Sequence, residues 1–214
     1  MSSRESTRAS VIVFARAPKP GEVKTRLVPV LGAEGAARLH ARMAEKALRT
    51  ASQVADAVEL HCAPRARHLF FERARRRFGA VLRTQKGGDL GQRMQGALRT
   101  ALRRRRHVVL IGSDCPDLQA RDLAAALRAL RAGADAVFAP AQDGGYALIG
   151  LRRVSDRLFA GVDWGSPDVM AQTRTRLRAL GWRWKELRTV WDVDRPEDVA
   201  RLRESGLLVR RKRP

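Results

Sequence analysis

Short runs of β-type residues alternate along this chain with longer stretches of helical period, and this alternation constrains the fold more than any other feature. Strands are expected near residues 10–15, 57–62, 80–83, 107–111, 135–139 and 146–150, with a later one near 183–187. Helices are expected over 33–55, 65–78, 90–104, 120–132, 167–179 and 196–204. A strand, a helix and another strand in succession call for crossover connections. The expected architecture is therefore α/β, three layers with helices on both faces of a mainly parallel, mixed sheet. Local signals mark some helix starts: Asp89 can cap the helix at Leu90, Ser166 the one begun by Pro167, and Asp194 the one at Pro196.

The 214 residues suit one domain, expected over 9–205, with residues 1–8 and 206–214 as flexible ends. Cys62 and Cys115 are too few for a disulfide framework. No signal peptide or apolar run long enough to span a bilayer is visible, so a cytoplasmic protein is expected, with no membrane partner. The net charge of +21 raises nucleic acid as a partner. Only six of the 43 basic residues are lysine, and the arginines are scattered along the exposed sides of several helices, which argues against a built groove. Aromatic residues make up 5%, leaving few platforms for stacking single-stranded bases.

Four segments carry candidate chemistry. After the first strand comes Arg16-Ala17-Pro18-Lys19-Pro20-Gly21-Glu22-Val23-Lys24-Thr25-Arg26, where the prolines and Gly21 force a turn. Arg16, Lys19, Lys24 and Arg26 then bring positive charge to the sheet edge, and phosphate oxygens are their natural partners. The segment is not a P-loop, because no glycine directly precedes the lysine. In the second segment, Val108-Val109-Leu110-Ile111 runs into Gly112-Ser113-Asp114-Cys115-Pro116-Asp117. An unpaired carboxylate is costly inside a strand but suits its carboxyl end, so Asp114 is a candidate ligand for a hard cation, while Asp117 is read as bracing the turn.

The third segment is Asp192-Val193-Asp194. Alternation sends both carboxylates to one side, with Asp194 preferred as second metal ligand and Asp192 as the alternate. Glu197 and Asp198 fit the first helical turn, where negative charge is favoured. The fourth is Asp143-Gly144-Gly145-Tyr146, which reads either as a tight hairpin or as a site where paired glycines admit a ligand close to the backbone. Trp164 is read either as a packing residue or as a sugar platform. His40, His61, His68 and His107 have no zinc-like spacing, and Ser113 lies in no nucleophile elbow.

In this order the four segments resemble the bacterial family known as radical-SAM/selenodomain-associated transferase 1, the arsenosugar-biosynthesis-type glycosyltransferases. The resemblance runs from about Val11 to Leu202 and implies the GT-A, or nucleotide-diphospho-sugar transferase, fold. The pattern is also similar to phospholactate guanylyltransferases and, more distantly, to molybdenum-cofactor and sugar-acid nucleotidyltransferases. Carried over, it places Arg16, Lys24 and Arg26 on phosphates and Asp114 and Asp194 on Mg2+ or Mn2+. The first loop departs from the glycine-rich loop of sugar-nucleotide pyrophosphorylases, so side-chain charge must replace backbone amides there.

The expected activity is metal-dependent transfer from a nucleoside diphosphate sugar to a small-molecule acceptor. Asp114, Lys24 and Asp143 are the catalytic candidates, with Asp143 the guess for a base. The acceptor is expected near Gly144, Gly145, Tyr146 and Trp164. One alternative is a nucleotidyltransferase that joins a nucleoside monophosphate to a phosphorylated small molecule and releases pyrophosphate. A third reading is an arginine-rich RNA-binding protein.

Overall fold

The computed structural model describes residues 9–207. Seven strands form one sheet in the order β3-β2-β1-β4-β6-β5-β7. They are β1 (Ser10–Arg16), β2 (Ala57–Ala63), β3 (Val81–Thr84), β4 (Val108–Ile111), β5 (Ala136–Pro140), β6 (Tyr146–Leu151) and β7 (Trp184–Glu186). Only β6 runs against the others, pairing antiparallel with both β4 and β5. The helices are α1 (Val28–Ser52), α2 (Leu69–Phe78), α3 (Leu90–Leu102), α4 (Ala120–Arg131), α5 (Asp156–Phe159), α6 (Val169–Ala179) and α7 (Pro196–Ser205). The three-layer, mainly parallel mixed sheet expected from the sequence is observed.

Alternation along the central strands divides the core. Val11, Val13 and Ala15 of β1 pack with Val109 and Ile111 of β4 against α1, α2 and α4. Ile12 and Phe14 face the other way, with Val108 and Leu110, onto α3, α5 and α6. Both faces are thus apolar, as a covered sheet requires. A third cluster joins the start of α1 to α7 through Leu27, Ala36, Met43, Trp191, Val193, Val199 and Leu202.

The connection from β1 through α1 leads to β2 on one side, whereas β3 returns through α3 to β4 on the other side of β1. Strand order therefore reverses between β1 and β4, and the crevice outside the carboxyl ends of those two strands is where open α/β sheets bind ligands. The basic loop follows β1, and the Asp114 loop follows β4.

Some local expectations need correction. Asp89 does cap α3, accepting from the Gln92 N–H at 2.7 Å. Helix α6 begins at Val169, with Asp168 at its N-cap. Ser166 instead accepts from the Asp168 N–H. Asp194 is not the cap of α7: the Asp198 carboxylate takes the N–H groups of both Asp194 and Arg195, which leaves the Asp194 side chain for other partners. The expected frayed ends lie outside the described residues except for Gly206, which closes α7 in the left-handed region, and Leu207, which packs on the third cluster. Among the described residues no helix is long and apolar enough to cross a membrane.

Candidate active site

The loop after β1 is pinned by burial of Ala17, Val23 and Leu27. Gly21 turns the chain at φ 76°, and a short 3-10 turn at Thr25–Leu27 leads into α1. Lys24 precedes that turn at φ 49°, ψ 43° and is the only non-glycine residue with positive φ among those described. Its side chain points inward and is 6% exposed.

The Lys24 ammonium lies between two carboxylates brought from distant parts of the sequence. Nζ is 3.2 Å from Asp114 Oδ2 and 3.6 Å from Asp194 Oδ1. Arg26 donates to the other oxygen of Asp194. The Asp114 and Asp194 loops are stitched together by the Val193 N–H, which donates to the Asp114 carbonyl. Trp191 and Val193 are buried and Asp192 and Asp194, alternating with them, are half-buried; of these two, Asp194 shares a cleft with Asp114 and Asp192 does not. Arg16, Glu22, Val23, Lys24, Thr25, Arg26, His40, Asp114 and Asp194 line one open cleft of about 340 Å³.

Electrostatics divide the acidic groups. Burial alone would raise the Asp114 carboxyl, but the Lys24 ammonium and His40 outweigh it and hold the group well below the usual carboxylate range. Asp192 moves the other way, pushed up by burial and by the charge of Asp143. The Cys115 thiol is pushed well up by burial and by Asp192, Asp114 and Asp143, so it is a poor nucleophile. Asp143, Asp192, Asp194 and Asp114 thus form one acidic neighbourhood, with Lys24 as its internal cation.

Two residues without a sequence signature organise this site. His40, on the buried face of α1, donates through Nε2 to the Arg16 carbonyl at 3.1 Å and sets Nδ1 3.7 Å from Asp114 Oδ1. That buried Nδ1 has no hydrogen-bond partner among the described residues. Arg188 donates to both Asp122 oxygens, to the Asp117 carboxylate and to the Asp117 carbonyl. It ties the segment carrying Asp192 and Asp194 to the start of α4, and Asp117 therefore acts as the expected turn brace.

The remaining candidates lie elsewhere on the same edge. Lys19 pairs with Glu22 and does not line the cleft. Residues 141–145 form the β5–β6 hairpin, with the Asp143 carboxylate accepting from the Gly145 N–H at 2.9 Å. Gly144 is required by packing: its φ is +87°, and a Cβ there would lie 1.9 Å from the Pro167 carbonyl oxygen. Tyr146 and Trp164 belong to the apolar layer against α3, α5 and α6, on the opposite face from the α1 side that carries His40. Trp164 packs edge-on to Tyr146, stacks on Phe159 and fits flush against Gly91. Burial pushes the Tyr146 phenol far up, so it remains a hydrogen-bond donor.

A mixed seven-stranded sheet with this crevice is the fold of the nucleotide-diphospho-sugar transferases. A crystal structure from Desulfovibrio desulfuricans G20, provisionally assigned to that class, is 31% identical and superposes with a TM-score of 0.86 over 94% of this chain and 88% of that one. A family model described as "Uncharacterized protein conserved in bacteria (DUF2064)" matches residues 46–166, and the chain belongs to that family. The fold alone is shared with 4-diphosphocytidyl-2C-methyl-D-erythritol synthase from Anaerococcus prevotii DSM 20548, at 10% identity, TM-score 0.60 and coverage of 93% and 98%. It is also shared with a CMP:2-keto-3-deoxy-manno-octonic acid synthetase complexed with CTP, at 13% identity, TM-score 0.59 and coverage of 93% and 98%. No curated protein matches in sequence.

Proposed function

We propose that this protein is a metal-dependent transferase that takes its donor from a nucleoside diphosphate sugar, of the radical-SAM/selenodomain-associated transferase 1 kind. The observation carrying this reading is the convergence of Asp114 and Asp194 on one ammonium, beside Arg16 and Arg26, at the point where the strand order reverses.

The donor set fits a hard divalent cation. Two carboxylates already flank a positive charge, and a buried imidazole nitrogen without a partner stands beside one of them. No three metal-binding side chains among the described residues form a ready cage. That suits Mg2+ or Mn2+, which take one or two carboxylates together with substrate phosphates. Asp114 and Asp194 would hold the ion, with Asp192 as the alternate. Its chemistry, when bound, is to neutralise the diphosphate leaving group.

The chain's own residues do the rest. Arg16 and Arg26 bind phosphate oxygens from the mouth of the cleft, and Lys24 adds a third positive charge from within. The hairpin carrying Asp143 borders the acidic neighbourhood and offers a carboxylate to an acceptor hydroxyl. Tyr146 and Trp164 are packed in the apolar layer and Gly144 against Pro167, which leaves Asp143 and Gly145 of the hairpin to border the acceptor's approach.

A second reading, nucleotidyl transfer from a nucleoside triphosphate to a phosphorylated small molecule, is supported by the fold shared with the two cytidylyl-type synthases. Incubation with a panel of nucleoside diphosphate sugars and nucleoside triphosphates, each with hydroxylated and phosphorylated small-molecule acceptors and Mg2+ or Mn2+, separates the two. Metal-dependent release of nucleoside diphosphate supports sugar transfer, and release of pyrophosphate supports the second reading. Neither product from any pairing of donor and acceptor contradicts both.

A further inference from the structure

We propose that the Lys24 ammonium is the resident cation of the Asp114–Asp194 pair, so that a divalent ion gains the pair only when a nucleotide's phosphates draw that ammonium away. This inference rests on the metal-dependent reading above and adds an order of binding to it.

Backbone, burial and charge each support the assignment. A left-handed backbone is unfavourable for an L residue, and few besides glycine, asparagine and aspartate adopt it. Lys24 holds it all the same, because buried Val23 on one side and buried Leu27 on the other fix the loop, and the Leu27 N–H donates to the Lys24 carbonyl at 2.9 Å. The result is a lysine pointing inward, unlike the solvated lysines of a surface loop. Its ammonium lies 3.2 Å from an oxygen of Asp114 and 3.6 Å from an oxygen of Asp194. Arg26, with a side chain 68% exposed, reaches Asp194 alone and cannot substitute.

The acidic neighbourhood needs this charge. Asp114 and Asp194 each place a carboxylate oxygen close to the Lys24 ammonium, at 3.2 and 3.6 Å, so one positive charge offsets the repulsion between two negative ones. The ammonium and a divalent ion therefore compete for the same oxygens. A diphosphate entering beside Arg16 and Arg26 offers the ammonium new anionic partners in the same cleft. Nucleotide and metal then bind with positive coupling, each raising the affinity of the other.

The test measures Mn2+ binding to the full chain by the loss of the free-ion electron paramagnetic resonance signal, without nucleotide. Lys24→Gly and Lys24→Asn both tolerate the left-handed backbone, so they remove the ammonium while preserving the loop, as thermal melts will verify. Each variant is expected to bind Mn2+ at least about tenfold more tightly than wild type, within the usual range of coupling between sites. Adding Asp114→Asn to either is expected to abolish the gain. Equal Mn2+ affinity in wild type and both variants overturns the proposal. A parallel thermal-shift series on wild type with CDP, GDP and UDP, with and without Mn2+, separates the two levels. A Mn2+-dependent shift alongside unchanged variants sinks only the role given to Lys24, whereas no shift together with no Mn2+ binding by any variant sinks the metal reading as well.

Discussion

The Val193 N–H donates to the Asp114 carbonyl at 3.0 Å, so the two acidic loops are joined by backbone as well as by the Lys24 ammonium. This bond holds the two loops together independently of the charge on either side chain.

Neutralising either carboxylate is therefore expected to remove activity without unfolding the chain. Asp114→Asn and Asp194→Asn should each lower the rate of metal-dependent transfer by about 10²-fold or more, the usual scale for loss of one preorganised charge-stabilising group. Steady-state kinetics alongside thermal melts check this. Full activity in either variant would remove that residue from the proposed site.

Arg188 is expected to matter for stability. It satisfies the carboxylates of Asp117 and Asp122, the latter with a side chain only 8% exposed. Arg188→Ala leaves a buried carboxylate without its cation, which should cost about 2–4 kcal/mol in urea unfolding, somewhat less than for a fully buried pair. Arg188→Lys should recover only part of the loss, because an ammonium cannot reproduce the forked contacts.

The same pair predicts a pH dependence. Burial raises the Asp122 carboxyl, but the Arg188 hydrogen bonds and the Gln119 N–H outweigh it, leaving the folded-state value below the ordinary one. Its contribution to stability is therefore present above the unfolded value, near pH 4, and is lost as pH falls through the folded value. The stability gap between wild type and Asp122→Asn should be full at pH 7 and should narrow below about pH 4. A constant gap down to about pH 3 would contradict this.

Gly144→Ala tests the hairpin. With φ at +87° and the Pro167 carbonyl oxygen 1.9 Å from where an alanine Cβ would sit, there is no room for a methyl group. The substitution should destabilise the fold by about 2 kcal/mol or more, whether or not ligand is present. An effect on donor or acceptor KM alone would instead point to a binding role for Gly144.

The sheet was legible because each central strand is a short apolar run bounded by turn residues, and the seven expected strands match those observed within one residue at each end. Helix starts were less legible. Helix α1 begins at Val28, five residues before its expected start, and passes a non-helical Gly32. Helix α2 begins at Leu69, with the His68 side chain rather than a conventional cap accepting the Phe70 N–H. The acidic pair could be read from its places after apolar runs. His40 could not, since one more residue on the buried stripe of a helix carries no mark of what it faces. Arg188 was hidden in the same way: its partners lie 66 and 71 residues away in sequence and meet it only after the sheet has formed.

A divalent ion shared by Asp114 and Asp194 when nucleotide is bound is the centre of the proposed site, and anomalous scattering from crystals grown with Mn2+ and CDP, GDP or UDP measures it directly. A manganese peak within bonding distance of both carboxylates, with Lys24 moved onto phosphate, is the predicted result. A nucleotide bound in the cleft with no manganese at either carboxylate would contradict it.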